Sequence, residues 1–398
     1  MTLAAGAAAW VALAWLLSRT SVPRLHLSGF DPRRYFSARD LRRAHRFSRG
    51  EQALWLGSHA ATLAALAICA RVLPRTARRT GLGRVGSAVV VGMVLLCALW
   101  AASLPFSLAD LWWQHRWGLG PFGVGSWLSA QWGTLGGEAV SALLAIVALV
   151  GFANRFPRGW WLLTGPLLVA IAAAFAFASG YVERAQSHPI AEARLQVGAR
   201  VLERREHVAG TPVRVQDVSS YTNQVNAFTA GVGPSTTVVL WNTLLDGRFS
   251  DAEVQTVVAH ELGHVRSRHV LKAIGWSALV VLPTLWLLSL ATRRRGGVRD
   301  PANLPYAFLV LAVLALLAAP VENWVSRRYE AEADWRSLNA THDPAAMRQV
   351  FEAFARTSLE EPSPPLWDYL WLENHPTLQQ RIAMTVRWRQ RQPSLRPG

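Results

Sequence analysis

The chain has 398 residues, 51% of them hydrophobic, and 41 Lys or Arg against 25 Asp or Glu give it a formal net charge of +16. The hydrophobic residues are clumped and the arginines lie between the clumps, which is the positive-inside pattern of a membrane protein and sets nucleic acid aside as a partner. Both cysteines, Cys69 and Cys97, fall inside apolar runs and read as small packing residues rather than a disulfide or metal pair.

Seven apolar spans are expected in chain order, at 3–17, 53–70, 86–104, 139–153, 160–181, 270–291 and 305–320. A bilayer crossing takes about 20 residues. The first, fourth and seventh are short, at about 15 or 16, and each equally fits a buried core helix. The spans are nearly free of charge, as the cost of a mid-bilayer ion demands. Lys272, the only lysine, lies near the start of one, and Glu322 just beyond the end of another. Trp160, Trp161 and Trp324 mark span ends, where aromatic belts form. The opening "MTLAAGAAAWVALAWLLSRT" lacks a basic leader and a clear cleavage site, so it reads as an uncleaved span. Nine arginines between Arg19 and Arg49 place that loop on the cytoplasmic side; the second loop, with Arg71, Arg75, Arg78, Arg79 and Arg84, is also basic and falls on the other side.

Polar sequence returns at 182–269 and from 321 onward, giving an expected division into N-terminal spans (1–181), a first catalytic segment (182–269), a membrane hairpin (270–320) and a second catalytic segment (321–398). The first segment opens with an amphipathic helical pattern through Ile190, Leu195, Val197 and Val201. "PVRVQDV" and "TTVVLWN" then read as strands, with "AGVGPS" a turn before the second. Ser250 and Glu253 form a capping box that starts a helix with an apolar stripe at Val254, Val257, Val258 and Leu262. The tail carries a helical "NWVSRRYEAEADWRSLNA", a break at "EEPSPP", the stretch "ENHPTLQQRIAMTVRW" and a basic, proline-containing end expected to be disordered.

The capped helix contains "HELGH". Residues four apart share a helix face, so His260 and His264 can reach one ion. Glu261 points about 100° away, where a base must sit to take a proton from water beside that ion. A solvated helix face is the plain alternative; the strong N-cap and the apolar flanks argue against it, and Gly263 allows close packing. His269, five residues after His264, is off that face. A third ligand is required, with an open position beside it. "YEAEAD" offers Glu330 as ligand and Asp334, four residues on, as the acceptor that orients a histidine. Glu332 falls on the opposite side, and a run of acids on a helix is as readily a solvated face. Two spans separate His264 from Glu330, and two crossings return the chain to one membrane face.

With these motifs in order, the sequence resembles the integral-membrane zinc metallopeptidases of the type I CAAX prenyl endopeptidase family. "VNAFTAGVGPSTTVVLWNTLL" is similar to that family's Asn-Ala strand and the strand after it, "SDAEVQTVVAHELGHVRSRHVLK" to its active-site helix, "SRRYEAEAD" to its Glu-x-x-x-Asp helix, and "NHPTLQQRI" to its His-Pro segment. The likeness covers about 189–382. It implies a mostly α fold: about seven transmembrane helices enclosing a chamber, with a gluzincin-like zinc metallopeptidase core and a small β element. It also implies one zinc ion on His260, His264 and Glu330, with Glu261 activating water and Asp334 orienting a ligand. His375 and Arg381 would contact the substrate carbonyl or oxyanion, and Asn226 and Ala227 the substrate backbone. Where the family has a Phe-Gly-Phe-Asn-like run, this chain has Trp117-Gly118-Leu119-Gly120 without the asparagine, so prenyl specificity is not carried over.

The expected protein is thus an endopeptidase of the bacterial cell membrane. Its catalytic segments lie on the cytoplasmic face, and peptides or membrane-associated proteins are its substrates. A quality-control protease for membrane proteins would use the same residues; a membrane sensor with a protease-like domain is the alternative of another class.

Overall fold

The computed structural model describes residues 2–392 except positions 26, 28, 29 and 122; side chains at 2–5, 7, 126, 129–135 and 138 are also left undescribed. The basic end at 393–398, expected to be disordered, lies outside the described residues. The elements in order are α1 (Thr2–Ser18), α2 (Ala38–Arg79), α3 (Gly83–Arg116), α4 (Val124–Arg155), α5 (Trp160–Ala185), β1 (His188–Pro189), α6 (Ala193–Arg205), β2 (Val213–Gln216), β3 (Ala227–Ala230) and β4 (Thr237–Trp241). They continue with α7 (Asp251–Arg266), α8 (His269–Arg293), α9 (Leu304–Thr341), α10 (Pro344–Thr357), α11 (Leu366–Trp371) and α12 (Leu378–Arg391).

Five of these helical stretches are long and apolar enough to cross a membrane: Ala38–Arg79, Gly83–Arg116, Trp160–Ala185, His269–Arg293 and Pro301–Thr341. The expected first and fourth spans are shorter apolar helices among the described residues, Ala8–Ser18 and Ala139–Arg155, so seven full-length spans are not found there. The protein is integral to the membrane. Its membrane helices share an apolar core through Leu66, Val91, Leu95, Val150, Leu288 and Leu304.

The short seventh span is half of a longer object. It runs unbroken into the acidic motif as the 38-residue α9, through Pro320, so one helix carries the chain from the bilayer to the site. At 1.5 Å per residue such a helix is about 57 Å long, well beyond the roughly 30 Å hydrocarbon layer.

The sheet has the order β1-β2-β4-β3. β2 and β4 pair in parallel, with Val215 opposite Leu240, and β3 lies antiparallel on β4 at the edge, with Ala227 opposite Leu240. Val238, Val239 and Leu240 are fully buried, which explains why β4 reads as a continuous apolar run rather than an alternating one. On α6 the buried stripe is Leu195, Ala199 and Leu202, while Val197 is exposed. The expected pattern misplaced Val197 because two residues along a helix is about 200° around it, away from Leu195. A second core joins α6, the sheet and α7 through Leu195, Leu240, Val258 and Leu262; a third joins α9, α10 and α12 around Leu338, Phe351 and Trp388, with Phe36 from the loop before α2.

Candidate metal centre and active site

α7 begins as its sequence requires. Ser250 Oγ accepts from the Glu253 N–H (3.4 Å), and the Glu253 carboxylate accepts from the Ser250 N–H (2.7 Å). His260 and His264 then share a face, with Nε2 atoms 3.1 Å apart. α9 crosses α7 at Gly263. A Cβ there would lie 3.2 Å from Arg336 Cβ and 3.3 Å from Ala333 Cα and O, so glycine is what permits this approach. The Ser337 hydroxyl donates to the Thr256 carbonyl (2.7 Å) and fixes the crossing.

The crossing brings Glu330 to the histidines. Its Oε2 is 3.2 Å from His260 Nε2 and its Oε1 3.5 Å from His264 Nε2. One donor atom from each of His260, His264 and Glu330 lies within 4.8 Å of the others. Asp334, fully buried one turn further on, accepts from His260 Nδ1 (2.8 Å). A neutral His260 that donates at Nδ1 carries its lone pair at Nε2, toward Glu330.

These residues fit a metal. Burial opposes charge on His260, but the Asp334 and Glu330 carboxylates outweigh it and raise its pKa to about 10. The surroundings therefore favour positive charge at this point. Glu330 Oε2 is buried and, although imidazoles lie within ion-pair distance, it makes no directed hydrogen bond. A carboxylate oxygen and imidazole nitrogens converging in this way suit a borderline cation that takes N and O ligands.

A cavity of about 230 Å³ opens beside the cluster, lined by Asn226, Ala227, His260, Glu261, His375 and Arg381 among others. Glu261 is nearly buried, and the Thr229 hydroxyl lies 3.0 Å from its Oε2 and 3.1 Å from its backbone oxygen. Ala227 opens the edge strand β3, and the Asn226 carbonyl accepts from the Trp241 N–H (3.0 Å). His375 precedes α12. Its Nε2 is 3.2 Å from Glu330 Oε2 and its Nδ1 2.6 Å from Asn374 Oδ1. Burial opposes its charge, yet Glu330 raises its pKa.

Arg381 has a partner that the sequence does not announce. Its Nε and Nη2 donate to the two Asp334 oxygens (2.8 and 2.7 Å), so the guanidinium pairs with the carboxylate that holds His260. Two of the guanidinium's five N–H groups are used this way, and Arg381 also lines the cavity in which the expected contact with a substrate oxygen would be made. The pairing follows from burial: an ionised Asp334 sealed in the core needs a bidentate partner.

The sequence-derived residues, from Asn226 to Arg381, are brought to one place. Thr229 has no sequence signal of its own, although as the second residue after Ala227 it lies on the same strand face, where its hydroxyl meets Glu261. His269 and Glu332 were set aside as off the face, yet His269 Nδ1 is 2.9 Å from His264 Nδ1 and His269 Nε2 is 3.1 Å from Glu332 Oε2. The run at 117–120 also approaches the site. The Asn223 N–H donates to the Leu119 carbonyl (2.9 Å), next to Gln224 of the cavity wall.

An HExxH helix, a glutamate supplied by a distant helix and five membrane-length helices together define the architecture of a membrane-embedded metallopeptidase. The model of Peptidase family M48 matches residues 189–389, half of the chain, and the chain belongs to that family. The family-level likeness drawn from the motifs is therefore borne out. Among similar proteins, an uncharacterised metalloprotease YhfN of Bacillus subtilis is 25% identical over 252 residues, 60% of this chain and 59% of its own length. A protease HtpX homolog of Acidiphilium cryptum is 29% identical over 229 residues, 54% of this chain and 75% of its own. This chain thus spans less than two thirds of the Bacillus relative. In fold it is similar to Ste24p of S. mikatae, with a TM-score of 0.69 and 17% identity over 94% of this chain and 95% of that one.

Proposed function

We propose that this protein is a zinc-dependent endopeptidase that cleaves peptides or membrane-associated proteins. The observation that carries it is the convergence of His260, His264 and Glu330 donor atoms beside Glu261 in one cavity. His260 and His264 through Nε2, with a Glu330 oxygen, would hold the ion. Bound there, zinc supplies Lewis acidity, lowering the pKa of water toward 7 and polarising a carbonyl.

The remaining steps belong to the chain. Glu261, fixed by Thr229, takes a proton from the attacking water as its oxygen bonds to the scissile carbonyl carbon, and returns that proton to the amine as the C–N bond breaks. His375 donates to the carbonyl oxygen as negative charge develops there. Arg381 and Asp334 hold the His260 ring. The free edge of β3, from Ala227, with Asn226 before it, aligns an extended substrate backbone.

We further propose that the four-part division stands, with the N-terminal spans and the 270–320 hairpin enclosing segments 182–269 and 321–398. The arginine-rich stretch from Arg19 to Arg49, which runs through the loop before α2 into its first turns, supports a cytoplasmic catalytic side in a bacterial cell membrane. Labelling of single cysteines placed in 182–269 from either side of sealed vesicles tests that orientation. For the activity, purified protein should hold one zinc per chain, lose it on His264→Ala, and cleave a fluorogenic peptide. Purified protein without zinc would end the enzyme reading.

A further inference from the structure

The Asp334 arm accounts for His260; nothing so far accounts for how His264 is held. Its Nδ1 does not meet a carboxylate or a backbone carbonyl. It meets the ring of His269, Nδ1 to Nδ1 at 2.9 Å, with the two imidazoles close to perpendicular at 78°. His269 is itself buried and stacked flat on Tyr329, at 4.6 Å and 10°. Its other nitrogen faces Glu332 Oε2 at 3.1 Å.

The order of these contacts fixes the protons. A carboxylate only accepts, so His269 Nε2 carries the hydrogen and donates it to Glu332. A neutral imidazole has one N–H, so His269 Nδ1 must accept. The donor is then His264 Nδ1, which leaves the His264 lone pair at Nε2, the atom facing His260 Nε2 and Glu330.

Glu332 is held in turn. The Ser21 N–H donates to its Oε1 (2.8 Å), and Lys272 Nζ lies 3.4 Å from its Oε2 while also donating to the Arg19 carbonyl (3.2 Å). Through Ser21 and Arg19, the loop after α1 closes the chain of contacts.

The backbone is bent to make the contact. In an unbroken helix, a residue five positions on sits about 140° around the axis, out of reach. Here α7 ends at Arg266 and α8 begins at His269, and Arg268 between them has φ +54° and ψ +41°. That left-handed conformation costs a non-glycine residue on the order of 1 kcal/mol and is kept where the surrounding structure demands it. It swings His269 back beside His264.

We propose that His269 and Glu332 are positioning residues that set the tautomer and ring orientation of His264 through a carboxylate–imidazole–imidazole relay. The proposal rests on the metal-site reading above. Its test is zinc affinity, measured by chelator competition on the full-length protein in detergent, with the absorption spectrum of the cobalt-substituted protein as a second readout. His269→Ala and Glu332→Gln should each weaken zinc about 10- to 100-fold, the range found when partners behind a metal ligand are removed. The cobalt bands should shift as well. Glutamine offers both an acceptor and a donor, so His269→Gln should recover part of the affinity that His269→Ala loses. Should His269→Ala fail to fold, Glu332→Gln and His269→Gln, which keep the packing volume, carry the test. Folded variants that bind zinc as tightly as the parent, with unchanged cobalt bands, overturn the relay. A parent protein that binds no zinc instead overturns the metal-site reading and is seen before any variant is made.

Discussion

The two ligand imidazoles of α7 stand one turn apart and face the same point, but they are held by different parts of the molecule. His260 is held within the peptidase segment, by Asp334 of α9 and, behind it, Arg381 of α12. His264 leans on His269 and Glu332, whose own partners include the backbone of Ser21 and, through Lys272, of Arg19. Those last two lie outside the stretch that the family match covers, 189–389. One side of the site is self-contained; the other depends on the N-terminal membrane half. The difference shows why the catalytic segments and the spans cannot be treated as separate modules.

The largest effect should come from a change that touches neither side. Glu261→Gln removes the base and leaves both imidazole networks intact. Turnover should fall by about 10²- to 10⁴-fold, the share typical of general acid–base catalysis, with one zinc per chain retained. Steady-state peptide hydrolysis together with metal analysis checks this. A variant with parental turnover would remove Glu261 from the mechanism; one that loses zinc would mean the carboxylate supports the ligands rather than the chemistry.

Arg381→Ala attacks the self-contained side. It leaves Asp334 buried and ionised without its bidentate partner, and losing one member of such a pair typically costs about 3–5 kcal/mol. The midpoint of chemical unfolding in detergent should drop accordingly, and zinc should weaken because His260 loses a fixed acceptor. Parental stability would show that Asp334 needs no counter-charge. It would also return Arg381 to the contact with substrate oxygen that its place in the sequence motif implied.

What could be read from the sequence follows the same division. Spacing of four on a regular helix exposes His260 with His264 and Glu330 with Asp334, because helical geometry alone sets which side chains share a face. The capping box at Ser250 and the glycine at 263 were legible for the same reason: each is a local requirement of a helix end or a helix crossing. His269 was not, since the turn at Arg268 breaks the periodicity on which the reading depends, and no residue type there signals a left-handed backbone. Glu332 became visible only once His269 had moved toward it. Arg381 is legible by motif, but its pairing with Asp334 is not, because that partner lies 47 positions away in a buried pair that only the packing of α12 on α9 reveals. The span count suffered from a different limit. Hydropathy finds apolar runs but not helix ends, so the single helix α9 was read as a short span followed by a separate helix.

A smaller perturbation should act on both sides at once. Gly263→Ala sets a methyl 3.2 Å from Arg336 Cβ and 3.3 Å from the Ala333 backbone, at the one crossing that carries Glu330 and Asp334 to the histidines. Backbone cannot swing aside as a side chain tip can, so α9 must shift by a few tenths of an ångström. Overpacking of this kind costs about 1–3 kcal/mol. The expected result is a modest loss of stability together with weaker zinc binding. Loss of stability with unchanged zinc affinity would show that the ligands relax independently of the crossing.

The last expected effect is confined to one pH window, and it belongs to the Arg381 side of the cavity. Glu373 and Glu360 both line that cavity. Burial, and then the neighbouring charges of Glu360 and Asp368, push the Glu373 carboxyl up from 4.5 to about 8, against the weaker pull of His375 and Arg327. Its folded value lies above its unfolded one, so the folded protein binds that proton more tightly. The resulting stabilisation is complete below about pH 4.5 and is lost as pH rises through about 8. Wild-type stability should therefore fall across that window, and Glu373→Gln, which keeps the shape but cannot ionise, should flatten the slope. Unfolding midpoints measured at several pH values for the two proteins make the comparison. Parallel profiles would mean that Glu373 gives up its proton as readily in the folded chain as in the unfolded one, and that the pull of His375 and Arg327 offsets its burial.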